Sequence, residues 1–166
     1  MHRERFHLKR LTREGVKGAL AKAERYRLLN QPEAAESICL DVLDVDPTNQ
    51  EALDMLIVTL SDQLGNESPG LARRALELTQ LVEDDYRRHY LRGLVHEREG
   101  RAALRRAMGA HAAYECFREA MEQFERAEAI RPPGVDDPIL RWNSCVRIIQ
   151  REGLRPEPHQ AEFQLE

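Results

Sequence analysis

A chain of 166 residues, 33% charged and only 5% aromatic, suits one ordinary domain able to bury a single core. A mean hydropathy of −0.62 and the lack of any run near the ~20 apolar residues of a membrane span point to a soluble chain without a membrane helix. The net charge of −4 and pI of ≈ 5.9 lack the basic footprint of a typical nucleic-acid binder, although the basic first 27 residues could still touch phosphate.

Read in chain order, the periodicity predicts helices and no strand. The leading MHRERFHLKR carries charge without a following apolar run, so no secretory signal is expected. Residues 1–15 read as a basic segment ahead of a helical domain over 16–151. A first helix spans about Leu11 to Leu29, with Val16, Ala19, Leu20, Ala23, Tyr26 and Leu29 at helical spacing. Pro32 is placed as the first residue of a second helix, which stops near Asp46-Pro47. Thr48 and Glu51 form a capping-box pattern for a third helix, with Gly65 beyond its end. Ser68-Pro69 reads as the start of a fourth helix ending near Glu83, and Asp85 as the cap of a fifth. A further helix runs from about Ala112 to Ile130 and is ended by Arg131-Pro132-Pro133-Gly134. The last starts at Asp137-Pro138, runs through Gln150 and stops at Gly153. Residues 152–166 lack a periodic face and read as a mobile tail.

Charge is distributed in blocks. Residues 1–27 hold nine basic against three acidic side chains (net +6), and residues 28–85 hold two against thirteen (net −11). Residues 86–131 carry +3 and residues 132–166 carry −2. Such blocks set the sign of partners rather than the fold, and solvated helix faces are their ordinary role. An acidic surface between basic ends favours a basic or amphipathic partner.

The helices also repeat a motif. Ala35, Cys39, Val42 and Pro47 stand at offsets 0, 4, 7 and 12, and Ala120, Phe124, Ala127 and Pro132 repeat them. Ala72, Leu76 and Thr79 follow the same offsets with Asp84 in place of the proline, while Asn30, Gly65 and Gly100 lie 35 residues apart. Small residues at fixed offsets let paired helices approach, and a bulky one fills the hole between pairs. This pattern resembles the tetratricopeptide repeat, a helix–turn–helix unit of roughly 34 residues. The resemblance covers about residues 16–132 as three repeats, closed by a helix at 138–150, and implies an all-α superhelix of antiparallel helix pairs. The family's early Trp is absent, and repeat two has extra residues around Asn66–Pro69. Repeat three is longer: Gly100 to Ala120 spans 20 residues where Asn30 to Ala35 spans 5. The excess predicts a long hairpin, with helices near 86–108 and 111–130 turning at Gly109. The rival arrangement turns at Gly100 and makes 101–108 a separate short helix.

The resemblance further implies a concave face built from the first helix of each pair, where partner peptides lie. On that geometry the groove is lined by Lys17, Glu24 and Arg27, then Glu51, Asp54 and Asp62, then Arg87, Tyr90, Leu94 and Arg98. Relatives that grip a partner's C-terminal carboxylate use Lys and Asn where this chain has Leu20, Glu24 and Met55, so that clamp is expected to be missing. The function implied is a non-catalytic, cytoplasmic interaction adaptor, and the length resembles that of small bacterial tetratricopeptide chaperones. Its expected partner is a protein or peptide of basic or amphipathic character. The alternative is a self-associating assembly subunit, a homodimer built through Arg101, Arg105 and Met108 of the inserted hairpin or through Trp142 of the closing helix. The ordinary role of Trp142 is a cap on the end of the stack, since terminal repeats shield their neighbours.

Site chemistry is sparse. Cys39, Cys116 and Cys145 are dispersed, with no Cys-x-x-Cys pair, which argues against a disulfide framework and fits a reducing compartment. His89 and His96 lie seven apart and His111 and Glu115 four apart, but no third ligand accompanies either pair, so no metal is expected. No phosphate-cradling glycine loop or catalytic constellation is present, and neither an enzyme nor a cofactor is expected.

Overall fold

The computed structural model describes residues 6–65, 70–107 and 109–158. Seven helices and no β-strand occur among them: α1 (Val16–Leu28), α2 (Pro32–Val45), α3 (Gln50–Asp62), α4 (Leu71–Thr79), α5 (Asp85–Leu104), α6 (Ala110–Ala129) and α7 (Asp137–Glu152). None is long and apolar enough to cross a membrane.

Local chemistry sets the boundaries, and several differ from the sequence expectation. α1 begins at Val16 rather than Leu11, because Thr12 makes a turn whose carbonyl and Oγ1 both accept from the Gly15 N–H. It ends in a Schellman motif: Asn30 takes the left-handed region at φ 58°, and the Gln31 N–H reaches back to Tyr26 O at 2.9 Å. Pro32 opens α2, where its missing N–H costs nothing. The cap of α3 is Asn49, not Thr48, its Oδ1 accepting from Ala52 N–H at 2.8 Å. The cap of α5 is Asp84, not Asp85, accepting from Arg87 N–H at 3.0 Å. In both cases the capping side chain stands one position from the expected residue. The expected Ser68-Pro69 start of α4 lies outside the described residues.

α4 stops at Thr79, four residues before Glu83. The Gln50 side chain explains this. Its amide donates to Leu81 O (3.3 Å) and accepts from Glu83 N–H (2.9 Å), strapping the 80–84 link across the start of α3. The same link buries Val82.

The long hairpin is present: α5 and α6 have 20 residues each, against 9 to 14 in α1–α4. Its turn reaches Gly109, where a Cβ would collide with the Ala103 carbonyl. The rival turn at Gly100 is excluded, because Gly100 is buried within α5. The two helices approach through glycines facing aromatics. A Cβ on Gly93 would lie 2.5 Å from the Phe124 ring, and one on Gly100 3.0 Å from Phe117. Both rings are fully buried.

Each helix packs mainly on its neighbours in the chain, and α1, α3 and α5 also pack in series, which is the organisation of an α-helical superhelix. The interior has two main clusters. Leu56, Ile57, Leu60, Leu91 and Val95 centre the first, between α1 and α5. Tyr86, Tyr90, Phe117, Phe124, Cys145 and Ile148 centre the second, between α5 and α7. The start of the expected mobile tail belongs to the second: Leu154 is buried there, its N–H closing a Schellman motif onto Ile149 O at 3.0 Å past Gly153.

Candidate functional site

The face formed by α1, α3 and the start of α5 holds a groove of ≈ 550 Å³, a volume in the range of ligand and side-chain pockets. Its walls come from three places. α1 supplies Glu24 and Arg27, α3 supplies Gln50, Glu51, Asp54, Met55 and Val58, and the strapped link with the first turn of α5 supplies Val82, Glu83, Asp84 and Arg87. Because Gln50 fixes the link to α3, Val82 lines the groove together with Met55 and Val58, giving it an apolar floor.

The two arginines are committed within the fold. Arg87 makes a two-point bond to Asp54 (Nε–Oδ2 2.6 Å, second nitrogen to Oδ1 2.8 Å) and lies 5.0 Å from the Tyr90 ring centroid. Arg27 donates through Nε to Asp62 Oδ2 at 2.8 Å, and Arg98 approaches the other oxygen of Asp62 at 3.4 Å. The Arg27–Asp62–Arg98 set therefore ties α1, α3 and α5 together beside the groove. Glu24, Glu51 and Glu83, in contrast, are exposed and carry no side-chain ion pair or hydrogen bond among the described residues. The groove thus presents negative charge around an apolar floor.

Five of the ten residues expected in a groove line it: Glu24, Arg27, Glu51, Asp54 and Arg87. Asp62 and Arg98 support it from the side, and Lys17 is exposed on α1 away from it. Tyr90 and Leu94 do not line it: both pack into the interior, Tyr90 between Tyr86 and Phe124. The apolar surface comes instead from Met55, Val58 and Val82. The helical phase of α3 could have nominated Met55 and Val58, which flank the stripe of its buried residues.

The other predicted positions are spread over the hairpin and closing helix. Arg101 donates to Ser144 Oγ (3.3 Å), and Arg105 reaches back to Leu64 O (3.2 Å) rather than projecting from the hairpin. Trp142 is half-buried against the α5–α7 cluster, and Met108 lies outside the described residues. Sequence reasoning missed Glu97, whose side chain is wholly buried between α5 and α7. It accepts from Arg141 at 3.1 Å and from the Cys145 thiol at 3.8 Å. Arg141 also donates to Tyr90 Oη at 3.2 Å.

His89 and His96 do not converge. His89 Nδ1 meets Gln123 Oε1 at 2.9 Å, while His96 Nδ1 lies 3.4 Å from Glu99. Among the described residues no group of three His, Cys, Asp or Glu side chains could hold a metal ion. The three cysteines are free. Burial pushes the Cys39 and Cys116 thiols up to about 11, helped by Glu36 and Glu99 respectively. Burial and Glu97 push Cys145 up to about 12. All three are held as thiols at neutral pH, the unreactive form. Comparison of the chain with protein-family models, with curated proteins and with solved structures gives no match.

Proposed function

We propose that this chain is a tetratricopeptide-like, non-catalytic interaction adaptor whose groove takes a basic, amphipathic segment of a protein partner. The observation that carries the reading is the charge state of the groove. Arg27 and Arg87 are already bonded to Asp62 and Asp54, leaving Glu24, Glu51 and Glu83 around the Met55, Val58 and Val82 floor. An apolar side chain of the partner would displace water from that floor, which supplies burial. Lys or Arg on either side would meet the carboxylates, which supply sign selectivity and speed encounter. Met55 adds an adaptable wall. Helices strapped by Gln50 and by the Arg27–Asp62–Arg98 set preform the site, which lowers the ordering cost of binding. The repeat landmarks, the pairing of successive helices and the Gly93–Phe124 contact support the family reading. The free cysteines support work in the cytoplasm.

The test is fluorescence anisotropy with a labelled synthetic peptide of alternating Lys and Leu. Replacing Glu51→Lys together with Glu83→Lys is expected to weaken binding by ~10-fold or more and to flatten its salt dependence, since rim charges act through the field. Circular dichroism should stay unchanged. Equal affinity for both proteins overturns the assignment of the groove.

A further inference from the structure

The segment that precedes α1 carries an unusual pair of side chains. Phe6 and Leu8 are 89% and 95% exposed, although they are large and apolar. They stand two residues apart, so in extended backbone they share one side, and Lys9 and Arg10 follow them directly. The segment is tied to its own fold at Arg10, whose guanidinium meets the Asp44 carboxylate at 3.5 Å and the Asp44 carbonyl at 3.3 Å. Asp44 belongs to the end of α2, a helix that contributes nothing to the groove. Among the described residues the chain therefore holds two complementary exposed surfaces. One is a basic segment with an exposed apolar pair. The other is a groove with an apolar floor and free carboxylates.

We propose that the occupant of the groove is the leading segment of a second copy of this chain, an inference that rests on the groove reading above. Phe6 and Leu8 of one copy cover Met55, Val58 and Val82 of the next, while Lys9 meets Glu51 and Glu83. The contact is heterologous, because the segment and the groove are different surfaces. Each copy that fills a neighbour's groove still offers its own, so the assembly extends as a string or closes as a ring. A foreign basic segment competes for the same carboxylates and shortens the assembly.

Sedimentation velocity on the full chain, from low to high micromolar, tests this with two variants whose changes fall on exposed residues. The first, Phe6→Ser with Leu8→Ser, spoils the segment and keeps the groove. The second, Glu51→Lys with Glu83→Lys, spoils the groove and keeps the segment. The wild-type chain is expected to gain mass with concentration, and each variant alone to associate at least ~10-fold more weakly, as loss of a central apolar anchor or of complementary charge demands. An equimolar mixture of the two variants should form a dimer and stop there, since it holds one intact segment facing one intact groove. A wild-type chain that stays monomeric overturns the proposal. So do variants that associate as the wild type does, and so does a mixture that stays monomeric. The alternating Lys-Leu peptide separates the two readings. If it binds while the chain does not self-associate, only self-recognition falls; if neither occurs, the groove reading falls as well.

Discussion

Around the groove, Glu24, Glu51 and Glu83 lie exposed beside arginines already bonded elsewhere, whereas at the α5–α7 junction Glu97 is fully buried and its charge is met from within by Arg141. The difference follows from what each helix packs against. α1, α3 and the start of α5 leave one side open, so their carboxylates stay hydrated at little cost. α5 is covered on its other side by α6 and α7, so a carboxylate there has to find partners in the fold. The same composition, rich in Arg and Glu, thus gives an open acidic surface in one half and a lock in the other. Arg141 shows the lock most directly, since it joins Glu97 and Tyr90 of α5 to the closing helix.

The sharpest way to break the comparison is to remove the filling of the locked half. Phe117→Ala deletes a ring that is fully buried against Gly100, and should cost about 3–5 kcal/mol in urea unfolding. Amide exchange should then rise first in α6 and α7, with α2 and α3 keeping their protection, because stacked helices depend chiefly on their neighbours. A uniform loss across all seven helices would show that the halves are one unit.

A second perturbation addresses the charge itself. Arg141→Met leaves the Glu97 carboxylate buried, with Arg101 at 3.9 Å as its remaining cation, and should cost about 3 kcal/mol. Adding Glu97→Leu to Arg141→Met should recover most of that loss, because the uncompensated charge is then gone. A double variant as unstable as the single one would mean that the pair acts through packing alone. The groove predicts the opposite pattern. There, reversing Glu51 and Glu83 should leave stability unchanged and alter binding.

The helices themselves were legible because their signals are local. Pro32 and Gly153 each mark an end through the backbone conformation they permit or forbid, and Gly109 through the room its missing Cβ leaves for the Ala103 carbonyl. The caps Asn49 and Asp84 stand one residue from the expected Thr48 and Asp85, because the neighbouring side chains are both competent and only the turn geometry decides. The acidic lining was legible as well, since Glu24, Glu51 and Asp54 fall on the open side of helices whose opposite side is apolar. Tyr90 and Leu94 were not. α5 packs on two clusters, with Leu91 and Val95 turned to one and Tyr86 and Tyr90 to the other. Its apolar arc is therefore wide, and periodicity alone does not say which part of it faces a neighbour and which a groove. Glu97 was hidden for a related reason. Its burial depends on α7, 40 residues further on in the chain, arriving with Arg141. Val82 depends on the Gln50 strap, a contact 31 to 33 residues apart in sequence.

The smallest expected effect compares the halves through their thiols. Cys39 belongs to the cluster beneath the groove and Cys145 to the cluster beside Glu97. Each ionises near 9.0 when unfolded, but at about 11 and about 12 in the fold. The folded chain therefore keeps protons that the unfolded chain loses above pH 9. Stability is full below that point and falls as pH rises, through about 11 for Cys39 and on towards about 12 for Cys145. Half a unit above the unfolded value, each thiol should contribute a loss of under about 1 kcal/mol. Urea midpoints followed from neutral to alkaline pH should show the decline, and Cys39→Ala and Cys145→Ala should each flatten it. The Cys145 share should persist to higher pH, because Glu97 both accepts its proton and opposes its thiolate. If a thiol reagent at neutral pH modified Cys145 as fast in the folded chain as in urea, the junction would be open, and the contrast between lock and groove would fail.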